Sequence, residues 1–272
     1  MASAASRHTV VGSEAVKVLV LGGTSEGRAL AGALDGDARF DLVTSLAGRV
    51  REPLLPEGAT RVGGFGGADG LAEWIRGNDV DALVDATHPF ATEMSANAHA
   101  AAARTDIPLV QLVRREWIPG HGDRWTDVRT LTDAASVVES TARRAFLTIG
   151  RQGVNAFSHI ERTWFLLRSI DPPQAPMPPA HELLLARGPF ALDDEIALMK
   201  KHRIDVLVTK NSGGAMTEAK LTAARELEIP VVMIARPSTL AGDFRADSAE
   251  EVVDWLCSIA TIRAVGPGIS EM

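Results

Sequence analysis

Two glycines, a hydroxyl pair and a third glycine follow the first apolar run of the chain, in residues 17–28 (KVLVLGGTSEGR). Glycines let backbone N–H groups come close to a phosphate, and the start of a helix adds unpaired N–H donors and a positive dipole. The spacing departs from the strict G-x-G-x-x-G fingerprint, so a turn that needs glycines for geometry alone stays the alternative. We expect phosphate contacts of a bound dinucleotide from Gly22, Gly23, Thr24, Ser25, Glu26, Gly27 and Arg28.

The second apolar run indicates which dinucleotide would bind. In NAD-binding units an Asp or Glu about 20 residues after the glycines holds the ribose 2′-OH. Here the run ends in Thr44 and Ser45, followed by Gly48 and Arg49, with no acid at its end. A 2′-phosphate would meet donors there and no repulsion, so the sequence predicts NADPH rather than NADH, held by these four residues. For Arg49 a solvated loop cation is the alternative.

Polar residues stand at the ends of two further apolar runs. Thr87, His88 and Pro89 follow residues 81–86, and Lys210 closes the corresponding run in the second half of the chain. A histidine in this place could donate a proton or contact a ligand, although it could also cap the next helix. We predict a cofactor contact from Thr87 and a catalytic proton from His88 or, as the second candidate, from Lys210.

Arginine and lysine recur beside glycine at the predicted strand ends of the second half. Of the 28 basic residues, 23 are arginine, whose guanidinium forks suit carboxylates and phosphates. One such turn would mean little, but three together indicate a surface for a polyanionic substrate. The predicted substrate contacts are His88, Pro89, Arg114, Arg151, Gln152, Arg187, Lys210, Asn211, Ser212, Gly213 and Arg236.

Composition argues against several other classes of protein. The net charge is −7 without a basic stripe, which argues against nucleic acid as a partner. A single cysteine and seven scattered histidines predict no metal site, and no apolar run approaches the ~18–20 residues of a membrane span. The chain has no tyrosine, which removes every mechanism with a tyrosine acid. We expect a cytoplasmic monomer or weak homo-oligomer.

The elements that must position these residues alternate regularly. Apolar, β-branched runs alternate with alanine-rich helical stretches, which is typical of parallel sheets covered by helices. The predicted strands are 17–21, 40–45, 59–63, 81–86, 108–113, 128–131, 145–149, 164–170, 183–187, 205–209 and 231–235. The predicted helices are 26–34, 68–76, 91–104, 132–143, 192–202, 214–227 and 248–260. The proline-rich segment 171–179 is expected to be a surface loop.

An internal echo predicts two similar domains. The segment 81–114 reads strand, polar turn, helix, Ile-Pro, strand, Arg, and the segment 205–236 repeats that order. Chance similarity of two βα units is the alternative reading. We predict an α/β protein with two Rossmann-like, doubly wound parallel-sheet domains in tandem and the active-site cleft between them. The expected boundaries are a disordered arm at 1–15, a cofactor domain at 16–118, a substrate domain at 119–262 and a tail at 263–272.

Taken together, the motifs resemble those of the precorrin-6A reductase family of cobalamin biosynthesis, over residues 17–262. They are residues 21–27, 45–49, 63–66, 85–91, 149–153 and 209–213. The resemblance implies NADPH-dependent reduction of a C=C/C=N unit of the precorrin-6A tetrapyrrole to precorrin-6B, with the macrocycle held between two Rossmann-like domains. The sister family that reduces the cobalt-bearing substrate stays an alternative. A non-catalytic NADPH-binding module and an enzyme for a different acidic molecule are two others.

Overall fold

Two six-stranded sheets form the protein, whose computed structural model describes residues 15–48, 53–174, 176–237 and 244–265. Every strand pairing within both sheets is parallel. In chain order the strands are β1 (Val16–Leu21), β2 (Phe40–Leu46), β3 (Ala59–Val62), β4 (Ala82–Asp85), β5 (Leu109–Leu112), β6 (Trp125–Val128), β7 (Arg144–Thr148), β8 (Trp164–Ser169), β9 (His181–Leu185), β10 (Val206–Lys210), β11 (Val231–Ile234) and β12 (Phe244–Ala246).

Helices connect most of these strands. They are α1 (Ser25–Leu34), α2 (Ala68–Gly77), α3 (Thr92–Thr105), α4 (Leu131–Thr141), α5 (Leu192–Lys201), α6 (Ala219–Glu226) and α7 (Ala249–Val265). Short 3₁₀ turns occupy Arg151–Phe157 and Ala215–Thr217. All seven predicted helices are confirmed, although the one predicted over 214–227 is divided between the second 3₁₀ turn and α6. No helix in the described ranges has the length and apolar character needed to cross a membrane.

The two sheets share one strand order. The first runs β12-β5-β4-β1-β2-β3 and the second β6-β11-β10-β7-β8-β9, so each has the doubly wound arrangement predicted from the sequence. The echo is confirmed in space, because β4 and β5 hold the same places in the first sheet as β10 and β11 hold in the second. Ligands of such sheets bind beyond the carboxyl ends of the strands, where the strand order reverses.

The domain boundaries differ from those expected. The last strand of the first sheet is β12, in which Phe244 pairs with Val110 of β5. The helix α7 that follows buries Val252 and Leu256 completely in the core of the first domain. Residues 244–265 therefore belong to the first domain rather than to the substrate domain predicted at 119–262. Trp117, placed in the cofactor domain by the prediction, lies in a core cluster of the second domain.

Two strands were misjudged from the sequence, and both are sheet edges. The strand predicted at 128–131 is instead Trp125–Val128, in which Thr126 and Asp127 are exposed. The three-residue β12 was not predicted, since two of its residues are exposed. An edge strand with one paired side lacks the continuous apolar run of a central strand. The expected arm and tail lie largely outside the described residues, and the described part of 171–179 forms no helix or strand.

The side chains of each strand alternate between two helical layers. In the first sheet, Val18 and Val20 pack on the side of α1 and α7, whereas Leu19 and Leu83 pack on the side of α2 and α3. Asp85 follows Leu83 by two positions and therefore faces α3 as well. This alternation decides which polar residues at the strand ends share a cavity.

Candidate functional site

The turn between β1 and α1 is built around Thr24. Its Oγ1 caps α1 by accepting a hydrogen bond from Gly27 N (3.1 Å) and donates one to the carbonyl of Ala86 at the end of β4 (2.8 Å). A Cβ at Gly22 would lie 2.8 Å from Thr44 Cγ2, and one at Gly27 would lie 3.2 Å from Ala86 Cβ. Side chains are thus excluded at both glycines, which leaves the start of α1 open to an anion.

The other residues predicted to contact a phosphate belong to the same turn or to the first turns of α1. Gly23 takes a φ of +118°, a conformation that glycine adopts readily. Ser25 Oγ donates to Glu26 Oε2 (3.1 Å), and Arg28 is half-buried on the first turns of α1. The turn has the donors and the space that a pyrophosphate requires, so the residues present fit a dinucleotide.

The carboxyl end of β2 carries hydroxyls and no acid. Thr44 and Ser45 are almost fully buried there, and Gly48 follows with a φ of +68°. Arg49 lies outside the described residues, so its predicted contact with a 2′-phosphate stays a prediction.

Arg61, which was not predicted, is the cation that the structure places beside Ser45. Its Nη1 donates to Ser45 Oγ (3.0 Å) and to the carbonyl of Gly63 (2.7 Å), and its Nη2 donates to the carbonyl of Gly64 (3.0 Å). The guanidinium also stacks 3.8 Å from the ring centroid of Phe65. An arginine that closes a strand before a glycine-rich stretch was the available sequence signal.

The strand ends of the two domains meet at His88 and Lys210. Lys210 Nζ lies 5.1 Å from the ring centroid of Phe90, which packs against the core of the second domain. The His88 and Phe90 ring centroids are 5.8 Å apart. The two predicted catalytic residues, one from each domain, therefore face the same cleft. Pro89, a predicted substrate contact, lies between His88 and Phe90 in the sequence.

His88 sits in a cationic environment. His88 is an exposed residue whose side chain lines a cavity. Desolvation in that cavity, followed by the charges of Arg114, Lys210, Arg236 and Lys220, holds its pKa well below the usual range. Its Nδ1 accepts a hydrogen bond from Phe90 N (3.3 Å), which puts the proton of the neutral ring on Nε2. At neutral pH His88 is an uncharged hydrogen-bond donor rather than an imidazolium acid.

Two lysines of the second domain are desolvated. Burial lowers the pKa of Lys210. Lys220 is only 3% exposed, and burial followed by the charge of Arg168 lowers its pKa to about 7. Lys220 Nζ donates to the carbonyl of Thr217 (2.6 Å) and lies 4.7 Å from the Trp117 ring centroid. Lys220 was not predicted, because a lysine in a helical stretch gives no sign of burial.

Arg114 and Arg236 brace the two domains against each other. Arg114 Nη1 donates to Glu26 Oε2 (3.0 Å) in the turn between β1 and α1, and its Nε donates to the carbonyl of Ser212 (2.6 Å). Arg236 donates to the carbonyls of Asn211 (2.8 Å), Arg114 (2.8 Å) and Ser212 (3.1 Å). These two residues, predicted as substrate contacts, thus also hold the end of β10 beside the turn between β1 and α1.

Asn211 and Gly213 fit this brace closely. The amide of Asn211 accepts from Trp117 N (2.9 Å) and donates to the carbonyl of Trp117 (3.1 Å). A Cβ at Gly213 would lie 2.0 Å from the carbonyl oxygen of Arg115. The segment that leaves the first domain therefore packs directly on the strand end of the second.

The remaining predicted contacts lie at other strand ends of the second sheet. Arg151 and Gln152 follow β7, and Arg151 Nη1 lies 3.6 Å from Asp171 Oδ2. Arg187 follows β9 at the outer edge. They stand on the same carboxyl side as Lys210, since all pairings are parallel. Among the described residues no group of three or more His, Cys, Asp or Glu could hold a metal ion.

Comparison with known proteins gives one consistent family. Residues 17–257 match the family described as Precorrin-6x reductase CbiJ/CobK. The chain is 56% identical over 240 residues to a precorrin-6A reductase of Rhodococcus erythropolis, covering 88% of this chain and 97% of that protein. A cobalt-precorrin-6A reductase of Priestia megaterium is 31% identical over 252 residues, covering 88% and 97%.

A solved structure has the same architecture. CobK precorrin-6A reductase superposes with a TM-score of 0.84 at 43% sequence identity, covering 89% of this chain and 96% of that one. The two-sheet arrangement described above is therefore shared along nearly the whole length of both chains.

Proposed function

The chain belongs to the precorrin-6x reductase family CbiJ/CobK, and from this membership we propose that it reduces precorrin-6A to precorrin-6B with NADPH. The observation that carries the proposal is the meeting of His88 and Lys210, one from each domain, in a cleft where Arg114 and Arg236 add positive charge. A tetrapyrrole with many acetate and propionate arms needs such a surface, because each carboxylate must be neutralised before it leaves water.

The first domain supplies the cofactor site in this proposal. The pyrophosphate would be held by the backbone N–H groups at the start of α1 and by the Gly22–Gly23 turn. When bound, NADPH supplies a hydride from its nicotinamide ring. Arg114 neutralises Glu26, the carboxylate of the turn, which would otherwise repel the pyrophosphate.

The preference for NADPH rests on the end of β2. Ser45 and Arg61 offer a hydroxyl and a rigid guanidinium where an NAD-specific unit carries an acid. Stacking on Phe65 and the hydrogen bonds to Gly63 and Gly64 fix the guanidinium plane before any ligand arrives. We propose that this pair recognises the 2′-phosphate.

The reduction also needs a proton, which the hydride donor does not supply. Desolvation, followed by the charges around it, holds the His88 pKa below its usual range, which reverses the order of the two candidates. Burial lowers the pKa of Lys210 from its ordinary value, which makes its ammonium group a stronger acid than that of a free lysine. We propose that Lys210 Nζ protonates the macrocycle and that His88 Nε2–H donates a hydrogen bond to a substrate carboxylate.

Anaerobic absorbance spectra of purified protein with precorrin-6A and NADPH test the function. We expect NADPH oxidation coupled to the spectral change of the macrocycle, and a weaker reaction with NADH. The identity of 31% to a cobalt-precorrin-6A reductase motivates a second arm with the cobalt-bearing substrate. Faster turnover in that arm would assign the chain to the sister reaction, and NADPH binding without oxidation in either arm would leave only a nucleotide-binding module.

A further inference from the structure

A cavity of about 230 Å³ lies under α3 at the ends of β4 and β5. We infer that it receives the carboxamide of the nicotinamide, held by Asp85 and Gln111. This inference rests on the proposed use of a nicotinamide cofactor, and it assigns a role to two residues that the sequence did not single out.

Asp85 and Gln111 form the floor of the cavity together. They are paired in register on the adjacent strands β4 and β5, and both face α3. Asp85 is 3% exposed and Gln111 is 4% exposed. Polar side chains buried this deeply cost free energy unless hydrogen bonds satisfy them, so their remaining hydrogen-bonding capacity is informative.

Among the described residues, one side-chain oxygen of Asp85 and one of Gln111 accept no hydrogen bond. Asp85 Oδ1 accepts from Thr87 N (3.1 Å) and Thr87 Oγ1 (2.7 Å), and Gln111 Nε2 lies 2.7 Å from His99 Nε2. Within the described ranges, neither Asp85 Oδ2 nor Gln111 Oε1 has a hydrogen-bond partner, and neither is a buried unsatisfied atom. Both side chains line the cavity, so a ligand in it can offer hydrogen-bond donors to these two oxygens.

Two adjacent acceptors select the chemistry of the ligand. A primary amide brings two N–H donors on one nitrogen and can satisfy both oxygens. A carboxylate brings only acceptors and would be repelled by Asp85. The acid arms of the macrocycle are thereby excluded from this floor, whereas the nicotinamide carboxamide matches it.

The cations near the cavity do not change this assignment. Arg236 lines the rim, but its guanidinium already donates to three backbone carbonyls of the interdomain brace. Thr92 and Ser95 of α3 add hydroxyls to the wall, which suit a neutral, polar group.

The cavity also lies next to the glycine turn between β1 and α1. Asp85 is paired with Leu21, the last residue of β1, so the floor lies where the strand order reverses. The next residue along the chain, Ala86, accepts the hydrogen bond from Thr24 Oγ1. One strand end thus joins the turn proposed for the pyrophosphate to the floor proposed for the carboxamide.

Binding of cofactor analogues tests the inference without relying on turnover. Calorimetric titrations would compare NADP⁺ with its 3-acetylpyridine analogue, in which a methyl group replaces the amide NH₂. We expect wild type to prefer NADP⁺ by about 10-fold or more, as hydrogen bonds to a charged group are worth about 1.5–3 kcal/mol. Asp85→Asn and Gln111→Leu should each reduce that preference to within about threefold.

A matched control lies on the same strand. Asp81→Asn alters a carboxylate just before the amino end of β4, where it accepts from Lys17 N (2.9 Å), and should keep the wild-type preference. Circular dichroism melts would confirm that each variant folds, and either floor variant alone suffices. An unchanged preference in a folded Asp85→Asn or Gln111→Leu would overturn the inference. Equal binding of both analogues by wild type would also overturn it while leaving the proposed function standing, whereas binding of neither would overturn both.

Discussion

The proton donor can be identified at the scale of single side chains, because the two candidates respond to the cleft differently. Desolvation favours the uncharged form of a base and lowers the pKa of both His88 and Lys210, and like charges add to this effect at His88. An imidazole starts near pH 6.5 and is already neutral, whereas a lysine starts near 10.4 and keeps its proton over most of the physiological range.

Replacement of Lys210 tests this assignment. We expect Lys210→Met to lower kcat by about 10²–10⁴-fold, the usual contribution of a general acid. In wild type, kcat should fall as the pH rises through a pKa below the ordinary lysine value, because the reactive form is protonated, and the variant should lack that limb. Lys201→Met, at an exposed position on α5, serves as the control. A wild-type pH profile in the Lys210 variant would contradict the role.

His88 should leave no titration of its own in the neutral range. Its pKa lies below the usual histidine range, so kcat/KM should be flat where a free histidine would titrate. We expect His88→Gln, which keeps an N–H donor, to retain most of kcat, and His88→Ala to raise the substrate KM. A loss of kcat greater than 100-fold in His88→Gln would instead make the ring the acid.

Cofactor choice depends on Arg61 in this proposal. We expect Arg61→Ala to raise the KM for NADPH about 10-fold or more, while the KM for NADH changes less, because only NADPH carries the 2′-phosphate. Arg39→Ala is the matched control, since Arg39 is an exposed arginine that pairs with Asp37 in a turn before β2. Equal changes with both cofactors would remove Arg61 from phosphate recognition.

For single residues, the sequence indicated which residue types follow the strands but not which side chains they contact in the folded protein. The glycine turn, His88 and Lys210 were predicted from their places after apolar runs, and the structure places them after the carboxyl ends of β1 and β4 and at that of β10. Arg61, Lys220, Asp85 and Gln111 were missed, because their significance depends on contacts between neighbouring strands. Burial of one lysine or one glutamine leaves no local pattern in the chain.

Among the elements, the turn after β10 shows how backbone conformation sets the interdomain contact. Gly213 combines a φ of +66° with a clash that any Cβ would make with Arg115. Gly36, at the end of α1, has a φ of +76° but open space around it. Substitution at Gly36 therefore measures the energetic penalty of the left-handed backbone alone, whereas substitution at Gly213 adds the steric clash with Arg115.

Alanine at these two positions gives a direct comparison. Gly36→Ala should lower the free energy of unfolding by about 1–2 kcal/mol, the penalty of the left-handed conformation. Gly213→Ala should cost more and should also lower kcat/KM, because Arg115 must move away from the end of β10. Chemical denaturation and steady-state kinetics measure the two effects. Equal losses of stability, with activity intact in both variants, would show that the close contact between Gly213 and Arg115 adds nothing to the conformational penalty.

The central strands were predictable from their apolar runs, whereas two of the four edge strands, β6 and β12, were misjudged. Central strands such as β1 and β7 are mostly buried and leave unbroken apolar runs, whereas β6 and β12 each have two consecutive exposed residues. Because β12 was not predicted, α7 was assigned to the second domain, although it packs in the core of the first.

For the whole molecule, the placement of β12 and α7 in the first domain makes that domain depend on the end of the chain. A chain that stops after residue 243 would lack β12 and α7 and would uncover the positions that Val252 and Leu256 fill. Each fully buried aliphatic side chain contributes about 1.5–3 kcal/mol, so we expect loss of the folded first domain and of NADPH binding. A chain that stops after residue 265 is the control. Thermal melts that coincide for the two would contradict this dependence.

Because β12 returns to the first sheet, the backbone passes between the two domains twice, once from β5 to β6 and once from β11 to β12. A single proteolytic nick in either passage would leave the halves tethered by the other.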